Sequence, residues 1–481
     1  MLDEILPEVR TKANDASMPV RTCYILNILT TFHKLNHLMN KNLTHFSRKG
    51  ILSVAILVSA SLLLGPLIST IEPANADCVT STSTLIRVTC DTTFGHITTH
   101  VTNSAILRNL DNGQWLLNAV LQVDDGAKLT IASSDVSWLK ITKANGIVVY
   151  GEIDILGSKI TSWGTSAPIQ QTSTGKTPRA YINLRGSEGG TISGAEIAYL
   201  GYNSNGKRGL DLYGSGSSHD LTITGDSKFH HNWRGFYSSN AYNIVIENSE
   251  FYNNIDYTID GWGGTHHMRV SNVHVHDNDG IGIICSYQCS DLIFENNEVH
   301  DNDGAGLFFS RATTNSIMRN NVVYNQPGDA YPIAVSISES RNNQVYGNKV
   351  SDSEIGITVH NPSTNPDDGF STGNTIRDNT LERVKYAFRA LANAENTFES
   401  NAFGTVTGNH YLIGSSASIT IDKQMFSGTT IRGMSGNNEV TIQNSGIIKI
   451  GSTTYNTCDS PYKTRLSDQT ITVNSVSDCP S

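Results

Sequence analysis

Short apolar runs separated by polar turn residues recur along most of the chain, and they recur at a fixed interval. A motif of one asparagine, two variable residues and one apolar residue begins every 24 residues over the central part of the sequence. Its four clear copies begin at Asn248, Asn272, Asn296 and Asn320. Less strict copies begin on either side, at Gly157, Gly194, Asp226, Gly347, Asp378 and Ser400. The pattern therefore indicates about ten structural repeats, which is the signature of a solenoid.

The composition of each repeat identifies its elements as β-strands. Runs such as residues 244–246 and 291–294 are rich in Ile, Val, Leu and Phe and are bounded by Asn, Asp and Gly, which are strand and turn signals. No stretch after residue 76 keeps a helical period long enough to supply crossover helices. Strands that recur in this way stack in parallel, and parallel crossovers are right-handed. We therefore predict an all-β, right-handed parallel β-helix of about ten or more coils with capped ends.

Stacking places equivalent repeat positions about 4.8 Å apart. The apolar motif position should form an inward column: Ile197, Phe229, Phe251, Val275, Val299, Val323, Val350, Leu381 and Phe403. The asparagines that begin the four clear copies should form a buried ladder of amides. The residues after the column should form an outward stripe of rings: His230, Tyr252, His276, His300 and Tyr324. It is flanked by Lys228, Glu250, His274 and Glu298. Such rings suit sugar binding, but they also stabilise β-coils by cross-strand pairing, and both interpretations stay open.

The beginning of the chain has the composition of a targeting segment. Residues 50–70 form an apolar run that follows Arg48 and Lys49, and the small-residue sequence at 74–76 comes next. This pattern predicts a signal peptide over 39–76, although the run is also long enough for a retained membrane anchor. We predict that translation starts at Met39 and that residues 1–38 are a gene-model artefact; the alternative is an unusually long leader. The remaining segments are predicted as follows: 77–150, N-terminal cap and first coils; 151–415, β-helix repeats; 416–481, last coils and a disulfide-closed C-terminal cap.

Cysteine spacing indicates the compartment. Of the seven cysteines, Cys23 lies upstream of the predicted cleavage site. The other six form three locally spaced pairs, predicted to be the disulfides Cys78–Cys90, Cys285–Cys289 and Cys458–Cys479. Disulfides require an oxidising compartment, so we expect a secreted or cell-surface protein. The spacing of Cys285 and Cys289 resembles that of zinc ligands, but no second cysteine pair lies nearby.

Charge narrows the range of partners. The net charge of −10 argues against nucleic acid, and an acidic polysaccharide would need a local positive or hydrogen-bonding groove. We expect no cofactor and no metal, because Asp277, Asp279, Asp301 and Asp303 stand at repeated turns without a glycine-rich calcium repeat. The expected partner is an extracellular polysaccharide, with a uronate-containing polymer as the candidate. We expect a monomer, in contact with a membrane only if the signal segment is retained.

The densest polar cluster of the sequence lies at residues 256–267. The repeat places Asp260, Trp262, Tyr287 and Arg311 in one patch, with His266 and His267 at its edge. The predicted sugar contacts are Trp262, Trp233, Tyr257, His276 and His300. An Asp, an Arg, a Tyr and a His around an aromatic ring could bind a uronate and move a proton at its C5. The structural alternative is a glycine-rich bend whose Asp caps turn amides and whose Trp fills a gap between coils.

The stretch from residue 229 to about residue 324 resembles the mannuronan C5-epimerases, which are alginate-modifying β-helix enzymes. The resemblance is carried by residues 229–237, 250–254, 257–260, 282–286 and 306–311. The most specific family segment reads Tyr-Gly-Ile-Asp-Pro-His-Asp, whose His is the proposed base at C5. Here Asp260 matches the first Asp, but Trp262 replaces the His and glycines replace the Pro and the second Asp. Tyr287 stands where the family has an Arg that neutralises the substrate carboxylate, whereas Arg311 matches a further family Arg.

The resemblance implies a polysaccharide-modifying protein that removes the C5 proton of a uronate and returns one to the opposite face. Asp260 would position the substrate or mask its carboxylate, and Arg311 would clamp that carboxylate. His266 or His267 would be the base, and Tyr287 the proton relay. Loss of a general base costs about two to four orders of magnitude in rate, so a non-catalytic glycan-binding or adhesive β-helix stays open. A polysaccharide lyase is the further alternative, since the 4-O-linkage could leave before the proton returns.

Overall fold

The computed structural model describes residues 77–186, 188–214, 219–328, 332–361, 370–392 and 395–480. They belong to a compact unit that spans residues 77–481. The predicted extension over 1–38 and the predicted signal peptide over 39–76 lie outside the described residues. Within the described ranges, no helix is long and apolar enough to cross a membrane.

The described strands form three sheets that run the length of the unit. Sheet 1 contains Val79–Ser81, Leu85–Val88, Val120–Val123, Gly146–Val149, Tyr181–Arg185, Leu210–Tyr213, Phe236–Ser239, Ile259–Trp262, Ile283–Cys285, Leu307–Phe309, Ile333–Ser338, Ile355–His360, Tyr386–Leu391, Tyr411–Gly414, Thr429–Gly433, Ile447–Ile450, Thr453–Asn456 and Thr470–Ser477. Sheet 2 contains Thr92–Thr93, Lys128–Ala132, Glu152–Leu156, Gly189–Ser193, Leu221–Thr224, Tyr242–Glu247, His266–Ser271, Ile293–Glu295, Ile317–Arg319, Gln344–Tyr346, Thr372–Arg377, Glu395–Glu399, Ser418–Asp422, Asn438–Gln443 and Tyr462–Leu466. Sheet 3 contains Leu107–Asn109, Gln114–Leu117, Trp138–Thr142, Lys159–Trp163, Glu196–Ala198, Ser227–His230, Ser249–Tyr252, His274–His276, Glu298–His300, Val322–Tyr324, Lys349–Ser351, Thr380–Glu382 and Ala402–Phe403.

Between residues 120 and 403 each coil contributes one strand to each sheet, and successive coils pair in parallel, which confirms the predicted parallel β-helix. The predicted inward column is also confirmed, because Phe251, Val275 and Val299 occupy one register on neighbouring strands of sheet 3. All three side chains are fully buried. The column continues to Ile197 at one end and Phe403 at the other. The apolar residues of the three sheets thereby fill one continuous core.

The predicted asparagine ladder was wrong by one residue. Asn248, Asn272, Asn296 and Asn320 are exposed, and each has a left-handed backbone with φ between 46° and 56°. Asparagine and glycine adopt that conformation most readily. This explains why glycines such as Gly347 (φ 66°) occupy the same position in other repeats. The motif therefore begins with a turn residue rather than with a ladder residue.

The buried ladder that faces the sheet 3 corner is formed by the next residue along: Asn297, Asn321, Asn348, Asn379 and Asn401. Each side-chain carbonyl accepts a hydrogen bond from the amide of the preceding coil, as between Asn297 Nδ2 and Asn321 Oδ1 at 3.0 Å. A second ladder, which includes Asn254, Asn278 and Asn302, lines the corner after sheet 3. These amides satisfy the backbone groups at the tight corners, which would otherwise be buried without partners.

The two ends of the solenoid depart from the repeat. Near the start, helix Phe94–His100 begins after Thr93, whose side chain accepts a hydrogen bond from the His96 N–H. This helix was not predicted. At the other end, Thr470–Ser477 pairs antiparallel with Thr429–Gly433 and with Ile447–Ile450. All three predicted disulfides are formed: Cys78–Cys90, Cys285–Cys289 and Cys458–Cys479.

Candidate active site

Polar side chains occupy one outward register of sheet 1. Asn183, Asp211, Tyr237 and Asp260 stand side by side on four successive parallel strands. Asp211 and Asp260 are fully buried although they point away from the core column. Burying a carboxyl group is costly unless it has partners. The arginines of the segments that precede these strands provide those partners.

Asp260 is held from two directions. Arg234 donates a hydrogen bond from Nη1 to Asp260 Oδ2, and its Nε donates to Asp256 Oδ2 at 2.7 Å. Ser286 Oγ, one coil further on, donates to Asp260 Oδ1 at 2.5 Å. Three coils thus meet at one carboxyl group, which fixes its orientation at the surface of sheet 1.

The electrostatic balance favours the protonated form of Asp260 more than usual. Burial raises the pKa of Asp260 to about 6, although the charge of Arg234 and the hydroxyl of Ser286 act in the opposite direction. Burial lowers the pKa of Arg234, but the negative charges of Asp260 and Asp256 raise it by more. The pKa of Arg234 is therefore above its ordinary value. Near pH 6 the site can therefore hold either a carboxylate or a neutral carboxyl group that donates a hydrogen bond.

A second buried carboxyl group lies two strands before Asp260 and was missed by the sequence analysis. Asp211 accepts the backbone N–H of Arg208 at 3.1 and 3.2 Å, and burial raises the pKa of Asp211 to about 7. The Arg208 guanidinium donates to the Tyr213 hydroxyl at 2.5 Å and lies 4.2 Å from the ring of Tyr237. The sequence did contain a signal for Asp211, since Asp211 and Asp260 are each the second residue of a sheet 1 strand. The register that the two residues share was not recognised, because the coils between them differ in length.

The structure brings Trp262, Tyr287 and Arg311 together. The rings of Trp262 and Tyr287 lie 5.4 Å apart, and the Arg311 guanidinium lies 5.0 Å from the first and 5.3 Å from the second. Arg311 Nε also donates to the Ser286 carbonyl at 3.1 Å. Ser286 therefore connects this aromatic cluster with Asp260, and disulfide Cys285–Cys289 brackets the loop that carries both Ser286 and Tyr287.

The two predicted base residues lie on another sheet. Gly263 and Gly264 turn the chain with φ of 47° and 84°, and His266–Ser271 then begins a strand of sheet 2. His266 stacks on Tyr242 with ring centroids 4.8 Å apart, and its Nδ1 lies 2.7 Å from that of His267. Their role as base stays a prediction, and it requires a substrate that extends over this turn.

The remaining predicted sugar contacts are divided between two faces. Trp233 is only 7% exposed, and its ring fills the space above Gly175, which leaves little surface for a sugar. Tyr257 lies against the Arg234 guanidinium at 5.0 Å, next to Asp260. His276 and His300 stack 5.3 Å apart on sheet 3 and therefore belong to a different face. Whether these residues bind sugar stays a prediction.

Comparison with known proteins agrees with this architecture. Residues 208–367 match the family described as right-handed beta helix region. The mannuronan C5-epimerase of Pseudomonas aeruginosa is 26% identical over 208 residues, which are 40% of this chain and 38% of that relative. The chain thus matches well under half of the length of that curated relative.

Two solved structures extend the likeness. The periplasmic alginate epimerase AlgG superposes with a TM-score of 0.57 at 17% identity, over 70% of this chain and 85% of that structure. A mutant of the same epimerase, which carries one substitution, superposes with a TM-score of 0.55 at the same identity and coverage. At this identity the superposition establishes the fold.

The fold and the matched segment define the chain as a right-handed β-helix. More particularly, a segment of 208 residues of this β-helix is similar to the mannuronan C5-epimerase of Pseudomonas aeruginosa. The three disulfides of this chain are consistent with a location outside the cytoplasm.

Proposed function

We propose that this secreted protein binds an anionic uronate polymer along the outer face of sheet 1 and exchanges the C5 proton of a bound uronate. The observation that carries the proposal is the buried Asp260, which is paired with Arg234 and connected through Ser286 to Arg311 and its two rings. The similarity to the mannuronan C5-epimerase of Pseudomonas aeruginosa supports this choice of polymer class.

Binding a polyanion requires local positive charge, because the whole chain carries −10. Around Asp260, sheet 1 and the segments that flank its strands include four guanidinium groups: Arg185, Arg208, Arg234 and Arg311. Arg185 is exposed and shares an outward register with Tyr213 and Trp262. Planar guanidinium groups suit carboxylates, and the neighbouring rings suit the apolar faces of sugars. A polymer that follows sheet 1 would meet a guanidinium group on four of the six coils between Arg185 and Arg311.

The chemistry needs three functions at one sugar residue. Arg311 masks the charge of the uronate carboxylate, which makes the adjacent C5 proton more acidic. Asp260 is fully buried and acts as a positioning group, because it holds Arg234 and Ser286 in place. His266 or His267 removes the C5 proton on one face, and Tyr287 returns a proton on the other. Return to the opposite face inverts C5, so that mannuronate becomes guluronate.

A specific observation favours a second candidate function. Trp262 stands where the resembling family has its proposed base, and His266 and His267 contact Tyr242 and each other on sheet 2. A protein with the same groove and no base within reach would bind the polymer without converting it. This second candidate is a glycan-binding or adhesive β-helix.

The test is proton NMR of polymannuronate incubated with the purified protein in D₂O. The proposed function predicts deuterium at C5 together with new guluronate signals. We expect Arg311→Gln to lower the rate about 100-fold or more, because it removes charge stabilisation in the transition state. His266→Gln and His267→Gln should identify the base, with a loss of about two to four orders of magnitude in one of them.

Arg465→Gln is the matched control, since Arg465 is an exposed arginine of sheet 2 whose partner is Glu439. It should exchange deuterium at the wild-type rate. Saturable binding of polymannuronate without any exchange would replace the enzyme with the glycan-binding candidate. Neither exchange nor binding on polymannuronate and polyguluronate would overturn both.

A further inference from the structure

We propose that sheet 3 carries a binding site for one divalent transition-metal ion, of which Zn²⁺ is the best example, formed by His274 together with ligands drawn from His276, His300, Glu250 and Glu298. The site lies on a different sheet from the proposed groove and does not depend on the proposed function. Its ligands come from three successive strands: Ser249–Tyr252, His274–His276 and Glu298–His300. A metal ion would therefore cross-link neighbouring coils.

The three imidazoles converge on one point of the surface. The rings of His274 and His276 have centroids 4.1 Å apart, and His300 lies 4.9 Å from the first and 5.3 Å from the second. His274 Nε2 and His300 Nε2 are 2.7 Å apart, and His276 Nε2 lies 3.2 Å from Glu250 Oε1. Ligand atoms around a tetrahedral zinc ion stand about 3.3 Å apart, given bonds of about 2.0 Å. Small side-chain rotations would reach that arrangement.

The neighbouring aspartates orient two of these rings. His276 Nδ1 lies 2.6 Å from Asp277 Oδ2, and His300 Nδ1 lies 2.5 Å from Asp301 Oδ2. Because a carboxylate only accepts hydrogen bonds, Nδ1 is the donor in both, and Nε2 of each ring faces the cluster. This carboxylate–histidine arrangement is the usual support of a metal-binding imidazole, since it fixes the ring and increases its basicity.

Two sets of ligands share one residue. Glu250, His274 and His276 form the first set, and His274, Glu298 and His300 form the second; in each set the ligand atoms lie within 4.8 Å of one another. His274 belongs to both sets, so an ion that fills one set takes a ligand from the other. We therefore expect one ion for each chain. Imidazole with carboxylate suits Zn²⁺ and similar ions, whereas Ca²⁺ and Mg²⁺ prefer oxygen ligands alone.

The test is calorimetric titration of the full chain, purified without a polyhistidine tag and stripped with a chelator. Titration with ZnCl₂ should saturate at one equivalent and raise the midpoint of thermal unfolding. His274→Gln should weaken zinc binding about 100-fold or more, since both sets lose a ligand. Asp301→Asn and Asp277→Asn should each weaken it about 10- to 100-fold if their rings bind the ion. CaCl₂ should give no binding that depends on His274.

His410→Gln is the matched control, because it removes an imidazole that lies beside Thr430 and outside the cluster. It should bind zinc like the wild type. X-ray absorption at the zinc edge of the wild-type complex needs no variant, and it should show two or three imidazole nitrogens. Absence of saturable binding, wild-type affinity in His274→Gln, or an oxygen-only ligand shell would each overturn the proposal.

Discussion

Asp260 shows how one buried carboxyl group couples the candidate site to the stability of the protein. Its pKa is raised by burial from the ordinary 3.8 to about 6, so the folded protein holds the proton more tightly than the unfolded chain. The stabilising contribution of the neutral group is therefore complete below about pH 4 and is lost as the pH rises through about 6. The difference corresponds to about 3 kcal/mol.

We expect Asp260→Asn to remove this pH dependence. Between pH 4 and pH 7 the free energy of unfolding of the variant, measured by urea denaturation, should rise by about 3 kcal/mol relative to the wild type. Asp468→Asn is the control, because Asp468 is exposed in a left-handed turn (φ 53°) that asparagine also adopts. If the free energies of unfolding of the wild type and of Asp260→Asn differ by the same amount across this pH range, the expected effect of burying the Asp260 carboxyl group is contradicted.

The candidate site was predictable where the repeat is regular. Tyr287 and Arg311 share one column of the 24-residue grid, Trp262 lies in the neighbouring column, and the structure brings the three together. Arg234 was missed because the step between its coil and the next is shorter, as the 22-residue separation from Asp256 shows. His266 and His267 were assigned to the edge of the patch. Gly263 and Gly264, which lie between Trp262 and these histidines, turn the chain onto sheet 2.

At the scale of the elements, two adjacent asparagines have opposite roles at the corners that precede the sheet 3 strands Glu298–His300 and Val322–Tyr324. Asn320 is an exposed turn residue with φ of 56°, whereas Asn321 is fully buried. Asn321 donates to the Phe294 carbonyl at 2.9 Å and accepts from the backbone and side chain of Asn297 at 3.0 Å. One residue sets the backbone conformation, and the other satisfies the buried polar groups of three coils.

This difference predicts unequal costs for two neighbouring substitutions. Asn321→Ala should lower the free energy of unfolding by about 3 kcal/mol or more, because it leaves several buried groups without partners. Asn320→Gly should change it by less than about 0.5 kcal/mol, because glycine accepts a positive φ and the site is exposed. Urea denaturation of both variants checks the pair. Equal losses, or a larger loss for Asn320→Gly, would contradict the assignment of the buried ladder.

The period of the apolar residues was sufficient to predict the strands, the parallel stacking and the inward column. It could not separate the turn asparagine from the ladder asparagine, because both types occupy consecutive positions at 296–297 and 320–321. The less regular copies of the motif distinguish the two positions. Gly347 precedes Asn348, and glycine in a position shared with Asn320 indicates positive φ rather than an amide ladder. Helix Phe94–His100 was missed because seven residues are too few to show a helical period.

At the scale of the whole molecule, a solenoid depends on its ends. A parallel stack leaves an open strand edge at each terminus, and such an edge can pair with another molecule. Here the last coil is closed by antiparallel strands, with Thr470–Ser477 lying against Ile447–Ile450. Cys479 follows that strand directly, bonds to Cys458 and accepts a hydrogen bond from the Gly446 N–H at 3.2 Å. The disulfide therefore holds the closing strand in place.

We expect the double variant Cys458→Ser/Cys479→Ser to open this end before the rest of the molecule unfolds. A disulfide that closes a loop of this size, with a sequence separation of 21, contributes about 3 kcal/mol, and the repeat lets that loss stay local. Hydrogen exchange should accelerate over Thr470–Ser477 and its partner strands, and light scattering should show association that grows with protein concentration.

Cys285→Ser/Cys289→Ser is the control, since its disulfide lies in the middle of the solenoid. If exchange rises equally along all coils, the solenoid unfolds as one unit and the end does not open independently; if exchange rises locally without association, the exposed edge is protected by its own charged side chains.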